Sequence, residues 1–184
     1  MSKIKLIRKV AEVSTLFLAF VGLVGQIAQA QQRPVSLFST SCVEGGSRNG
    51  YERNQEVSVG REVFTSIFQI RIYRVGWFEG SSITCRIRPA SSKPRFKTLR
   101  LAFGISDNVE RGLGPTNVTV YLDGNETASR SISSGDRASL LLDVSQKSSV
   151  AIETKCESTT QGCGGVDFFQ ALLEPISSSP GRRQ

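Results

Sequence analysis

Three groups of side chains in this sequence carry recognisable chemistry: four cysteines, a scatter of carboxylates, and a short cluster of aromatic residues beside charged ones. Histidine is absent, which removes the commonest general base and the Ser-His-Asp and Cys-His routes to a nucleophile. Catalysis would then fall to carboxylates, with Asp107, Glu110, Asp123, Glu126, Asp143 and Asp167 as candidates. A glycosidase needs two of them facing each other about 5 to 9.5 Å apart, a separation that spacing along the chain does not define. Asp107, Asn108 and Glu110 gather three oxygen donors in four residues and could ligate calcium, although the same residues suit an ordinary Asx-type turn. Asp123 precedes Gly124 and suits a tight hairpin.

The aromatic cluster is Tyr73, Trp77 and Phe78, with Arg74 and Glu79 beside them, in Tyr-Arg-Val-Gly-Trp-Phe-Glu-Gly. Aromatic faces beside polar and charged side chains combine an apolar platform with hydrogen-bonding groups, so this is the leading binding candidate. Tyr51, in Arg48-Asn-Gly-Tyr-Glu-Arg, is the second. The competing role for the single tryptophan is to fill a core.

Residues 1–30 read as a cleaved export signal: Lys3, Lys5, Arg8 and Lys9 lead into an apolar stretch over 15–25, then Ala28-Gln29-Ala30. That stretch is too short to span a bilayer, and no membrane insertion is expected after cleavage. Three of the net seven positive charges belong to this segment, so the remainder lacks the concentrated basicity of a nucleic-acid binder. The basic residues left over are scattered apart from the run Arg86, Arg88, Lys93, Arg95, Lys97 and Arg100, which reads as a solvated strand face and turn that could touch acidic polymers. Export to a periplasm or the exterior also makes disulfides credible for Cys42, Cys85, Cys156 and Cys163. Three pairings are possible on paper; a local Cys156–Cys163 bridge around a polar loop leaves Cys42 with Cys85. Zinc is disfavoured because there is neither histidine nor a CxxC pair.

The rest of the chain alternates with period two. Phe68, Ile70 and Ile72 alternate with Gln69, Arg71 and Tyr73, and Ile83, Cys85 and Ile87 with Thr84, Arg86 and Arg88. Leu99, Leu101, Phe103 and Ile105 follow, then Val118, Val120 and Leu122, then shorter runs over 140–144, 150–154 and 168–173. Each reads as a strand with one wet face, and no 3.6-residue stripe follows the signal, so helices are few and short. Residues 31–41 and 177–184 are polar and read as frayed ends.

The second half contains Phe96-Lys-Thr-Leu-Arg-Leu-Ala-Phe-Gly-Ile-Ser-Asp107-Asn, Val118-Thr-Val-Tyr-Leu-Asp-Gly124, Leu141-Leu-Asp-Val144 and Val166-Asp-Phe-Phe-Gln-Ala-Leu-Leu173, with Val59-Gly-Arg-Glu-Val-Phe64 upstream. Together these segments resemble the NPCBM family of carbohydrate-binding modules, a likeness that implies sugar-stacking roles for the aromatic cluster and Tyr51. It covers about residues 57–175. Phe stands where the family's closing strand usually has tryptophan, and the family's Gly-x-x-His-Ala segment is replaced by residues 65–81. The resemblance implies an all-β, antiparallel jelly-roll-type β-sandwich that binds a polysaccharide or envelope glycan without catalysis. The expected organisation is a signal over 1–30, an N-terminal extension over 31–56 tied on by a disulfide, a sandwich over 57–175 and a disordered tail over 176–184. No cofactor is expected apart from calcium, and the oligomeric state is left open. The rival functions are an adhesion module that binds protein partners and a small carbohydrate-active enzyme using paired carboxylates.

Overall fold

A computed structural model describes residues 33–46, 50–72, 80–109, 112–158 and 160–176. The expected signal, and nearly all of the expected tail, lie outside these residues. Eleven strands run in the order β1 (Val35–Ser36), β2 (Ser41–Gly46), β3 (Gly50–Val59), β4 (Glu62–Ile70), β5 (Gly80–Arg86), β6 (Phe96–Gly104), β7 (Thr116–Leu122), β8 (Asn125–Ile132), β9 (Arg137–Asp143), β10 (Ser149–Cys156) and β11 (Val166–Pro175). The helical content among the described residues is one 3₁₀ turn, Leu37–Ser39. One sheet has the order β3-β4-β11-β6-β9 with β1 added on β11; the other has the order β2-β5-β10-β7-β8. All strand pairs are antiparallel. The two sheets enclose one apolar core, which makes the fold the β-sandwich that the alternation implies.

The alternation maps onto the core directly. Phe96, Leu99, Leu101 and Phe103 of β6, Val118, Val120 and Leu122 of β7, and Val150 and Ile152 of β10 point inward. In β11 a bulge between Phe168 and Gln170 changes the inward set from Val166 and Phe168 to Ala171 and Leu173. Two segments depart from the expectation. Residues 33–56 supply β1, β2 and most of β3, and Leu37 is fully buried, so this part is woven into both sheets rather than frayed or appended. Strand β8 has no alternating apolar signal; its Thr-Ala-Ser-Arg-Ser sequence forms a sheet edge, where one flank needs no partner.

Carboxylates hold the turns. Gly60-Arg61 and Asp123-Gly124 are two-residue hairpin loops in which both residues have positive φ, the conformation that matches strand twist. Asp107 accepts from Ser58 Oγ at 2.7 Å and from the N–H groups of Gly60 at 2.9 Å and Arg61 at 3.1 Å. Both of its oxygens therefore face donors, an arrangement built for an anion. Asn108 turns its N–H toward Ser106 Oγ, and Glu110 lies outside the described residues. Of the three residues considered for calcium, Asp107 thus serves as a hydrogen-bonded turn clasp. Asp123 Oδ1 accepts from the N–H groups of Ser148 and Ser149, each at 2.9 Å, and so ties the β7–β8 hairpin to the start of β10.

The pairing of cysteines is Cys42–Cys85 and Cys156–Cys163. Cys42 and Cys85 face each other directly across β2 and β5, with Cα atoms 4.0 Å apart. Cys156–Cys163 closes the loop between β10 and β11. Loop-closure entropy makes the bridge spanning 43 residues the stronger constraint on the unfolded chain. Replacing Cys42 and Cys85 together by alanine is expected to cost roughly 4 kcal/mol in urea denaturation, against roughly 2.5 kcal/mol for the Cys156/Cys163 pair.

Acid sensitivity follows from the clasps. The Ser58 hydroxyl and the Arg61 and Gly60 N–H groups hold the Asp107 carboxyl below the ordinary 3.8. The Ser145 N–H and hydroxyl do the same for Asp143. Partial burial works to raise Asp123, and the Ser148 and Ser149 N–H groups outweigh it and bring the carboxyl below 3.8. A carboxyl depressed by folding contributes stability that is complete above 3.8 and is lost as pH falls through the folded value. The urea midpoint is therefore expected to hold level down to about pH 5 and fall below about pH 4, with a shallower fall in an Asp107→Asn/Asp123→Asn double variant.

Candidate functional site

Antiparallel register assembles the site. On the outer face of the first sheet one row of residues crosses five strands: Tyr51 of β3, Gln69 of β4, Asp167 of β11, Gly104 of β6 and Arg137 of β9. Asp167 lies between the inward-facing Val166 and Phe168 and so points outward, yet it is only 1% exposed. The cause is the hairpin of β3 and β4. A bulge between Glu52 and Gln55 bends it, and its far half lies across the outer face of the sheet. There Val59 packs on Gly104, where an added Cβ would stand 3.0 Å from Val59 Cγ1 and 2.6 Å from the Asp136 carbonyl. Phe64 stacks on Phe169 with ring centres 4.6 Å apart, and the Arg137 guanidinium sits 5.5 Å from the Phe64 centre while pairing with Glu62. Glycine at 104 is what lets the hairpin lie this close.

Beneath this flap Asp167 is fully engaged. Its Oδ1 accepts from Arg53 Nη1 at 3.0 Å, Ser66 Oγ at 2.7 Å and Gln69 Nε2 at 3.0 Å, and its Oδ2 lies 3.1 Å from the same amide nitrogen. Gln69 Oε1 accepts in turn from Arg71 Nε at 3.1 Å and from the Tyr51 hydroxyl. Arg71 lies over the Tyr51 ring at 4.8 Å, and Arg53 also donates to Gln55. Two arginines, an amide, a phenol and a carboxylate are thereby locked into one network. A cleft of about 480 Å³ opens beside it, walled by Arg53, Glu56, Gln69, Arg71 and Asp167 on one side and by Ser106, Asn108, Val109, Leu113 and the Cys163–Gly165 stretch on the other. That volume suits one or two sugar rings.

The expected site residues fare unequally. Tyr73, Arg74, Trp77, Phe78 and Glu79 lie outside the described residues. Tyr51 is half-buried, and its ring and hydroxyl belong to the Asp167 network. Of the carboxylates, Asp107, Asp123 and Asp143 are each taken up by turn donors. Among the described candidate acids Asp167 alone enters the cleft, where Glu56 joins it. Gln69, expected on a wet face, is buried against Asp167. Arg53 and Arg71 were not among the candidate site residues, because the strand pairing that brings positions 53, 69 and 167 together is long-range, and the bulges in β3 and β11 leave no local signature.

No protein-family model matches the chain, and a comparison with curated proteins finds no match. Solved structures do resemble it. The CBM51-2 and INT domains of Clostridium perfringens ZmpB superpose with a TM-score of 0.62 at 12% identity, covering 79% of this chain and 32% of that one. The CBM51 of Clostridium perfringens GH95, solved in complex with methyl-galactose, gives 0.59 at 12% identity over 77% of this chain and 99% of that one. CBM51-2 of ZmpB has also been solved in complex with GlcNAc, with a TM-score of 0.62 over 80% of this chain. The chain spans about a third of the ZmpB structure and nearly all of the GH95 module. At this identity the likeness is one of fold: the chain has the jelly-roll sandwich of carbohydrate-binding modules.

The Asp167 network predicts a sharp contrast in stability. Asp167→Ala leaves Arg53, only 16% exposed, without its counter-charge and strands donors on Ser66 and Gln69. Urea denaturation is expected to show a loss of about 3 kcal/mol. Arg100→Ala, which breaks the exposed pair with Glu174, is expected to cost under about 1 kcal/mol.

Proposed function

We propose that this chain is an exported, non-catalytic module of the NPCBM type that binds a polysaccharide or envelope glycan in the cleft beside Asp167. The observation that carries this reading is the convergence of Arg53 and Gln69 on one buried carboxylate, with Arg71 and Tyr51 donating to Gln69 in turn, at the edge of a sugar-sized cleft. Guanidinium and amide groups donate in fixed planes and suit adjacent sugar hydroxyls, while the carboxylate network holds them in position before any ligand arrives. The sandwich shared with modules solved with methyl-galactose and GlcNAc supports the same class of ligand. The two disulfides agree with an oxidising destination. No helix among the described residues is long and apolar enough to cross a membrane.

Asp167 receives an arginine N–H, a hydroxyl and an amide N–H, which equips it as an acceptor. A glycosidase acid must instead hold a proton to give. Binding without turnover is therefore the reading of the Asp167–Glu56 pair as well.

The test uses glycan arrays and titration calorimetry on residues 31–184, starting from methyl-galactoside and GlcNAc. Arg71 is exposed, so Arg71→Ala is expected to leave the circular dichroism spectrum intact while weakening the bound sugar about tenfold, or about 1.4 kcal/mol. Trp77→Ala, measured in parallel, reports whether the aromatic cluster expected from the sequence adds to the site. Absence of binding across the array, or release of reducing sugar by the wild type, would overturn the proposal.

A further inference from the structure

We infer that the opposite face of the sandwich carries a second binding site, built for an acidic glycan. On the outer face of the second sheet the register sets Arg86 of β5 directly between Ser41 of β2 and Ser149 of β10. One row along, Thr84 stands beside Val43, which is 70% exposed. Arg88 is held in place by its guanidinium, which donates to Ser148 Oγ at 2.9 Å and to the Gln146 carbonyl at 3.0 Å. These residues line a groove of about 490 Å³ whose wall contains two arginines, four hydroxyls and no carboxylate.

Arg86 is exposed, and among the described residues it makes no ion pair and no hydrogen bond. A guanidinium with its fork unoccupied, flanked by two serines, matches a carboxylate or sulfate oxyanion approached in the plane of the fork. Asp123, which borders the groove at Ser148 and Ser149, turns Oδ1 onto their N–H groups and the Ser149 hydroxyl and so is committed to the turn. Glu153 is on the same face but four residues along β10 from Ser149, about 13 Å away. The hydroxyls suit the neutral positions of the same sugar, and Val43 supplies an apolar surface for a ring face. That combination favours a glycan bearing anions over a phospholipid surface or a nucleic acid. The Cys42–Cys85 bridge joins the two strands that carry Ser41, Val43, Thr84 and Arg86, and so fixes the groove's width. The site stands on different residues from the Asp167 cleft and does not depend on it.

Titration of the mature chain with an oligogalacturonide tests the carboxylate form of the ligand, and with a sulfated oligosaccharide the sulfate form. Binding of at least one is expected, weakening about tenfold or more between 50 and 300 mM salt as roughly expected for exposed charges. Arg86→Ala should reduce affinity about tenfold and Arg86→Lys by less, since lysine keeps the charge but loses the fork, while Arg100→Ala, at a residue that lines neither cleft, leaves it unchanged. No binding of either oligosaccharide would overturn the inference, as would affinity unaffected by Arg86→Ala. Binding that fails with both oligosaccharides while anionic vesicles or DNA are retained would equally overturn it. Because Arg71→Ala and Arg86→Ala act on separate faces, failure here leaves the cleft proposal standing, and the reverse holds.

Discussion

A carboxylate that points outward from a sheet and is nevertheless sealed from water must be met by donors, and Asp167 imposes that requirement on one end of this sandwich. Burying an unpaired charge would cost several kcal/mol, so Arg53, Ser66 and Gln69 have little freedom of position. Arg53 sits at the bend of the β3–β4 hairpin, which links the ion pair to the way the hairpin folds over the sheet. Gln69 passes the constraint on to Tyr51 and Arg71 through its carbonyl oxygen. The cleft is the space left beside this cluster.

The flap is fastened at its far end by different means. Asp107, just beyond β6, accepts the two amides of the Gly60-Arg61 turn and the Ser58 hydroxyl, while Val59 fills the place that a side chain on Gly104 would occupy. The motif Gly104-Ile-Ser-Asp107 thus has a mechanical reading: the glycine admits the hairpin and the aspartate anchors its tip. Both ends of the flap rest on acids whose partners are far away in sequence. Acid that releases the Asp107 clasp should therefore loosen the same element that walls the cleft, coupling stability and recognition through one hairpin.

The two faces divide the chemistry. The first sheet offers the planar donors of two arginines and an amide around a single carboxylate, an assembly suited to hydroxyls. The second offers an arginine with an unoccupied fork among serines. Cys42–Cys85 braces the second face, and Cys156–Cys163 shapes the loop whose glycines form the far wall of the first cleft.

Alternation along the chain was enough to specify an all-β sandwich and the inward faces of β5, β6, β7 and β10, because side-chain direction in a strand has a period of two and burial is decided residue by residue. Cysteine spacing was enough to favour the two bridges, since a short polar loop between Cys156 and Cys163 leaves a single remaining pair. Asp123-Gly124 declared its hairpin because few residue pairs tolerate two positive φ angles. Strand order, the two bulges and the folded-over hairpin were decided only in three dimensions. They depend on which strands become neighbours, and that is settled by the packing of the whole core. Asp107 looked like a cation ligand and became a turn clasp for this reason, and Gln69 looked solvent-facing and became the centre of a buried network. The meeting of Arg53, Gln69 and Asp167 is a property of register between distant segments, a quantity with no local trace in the chain.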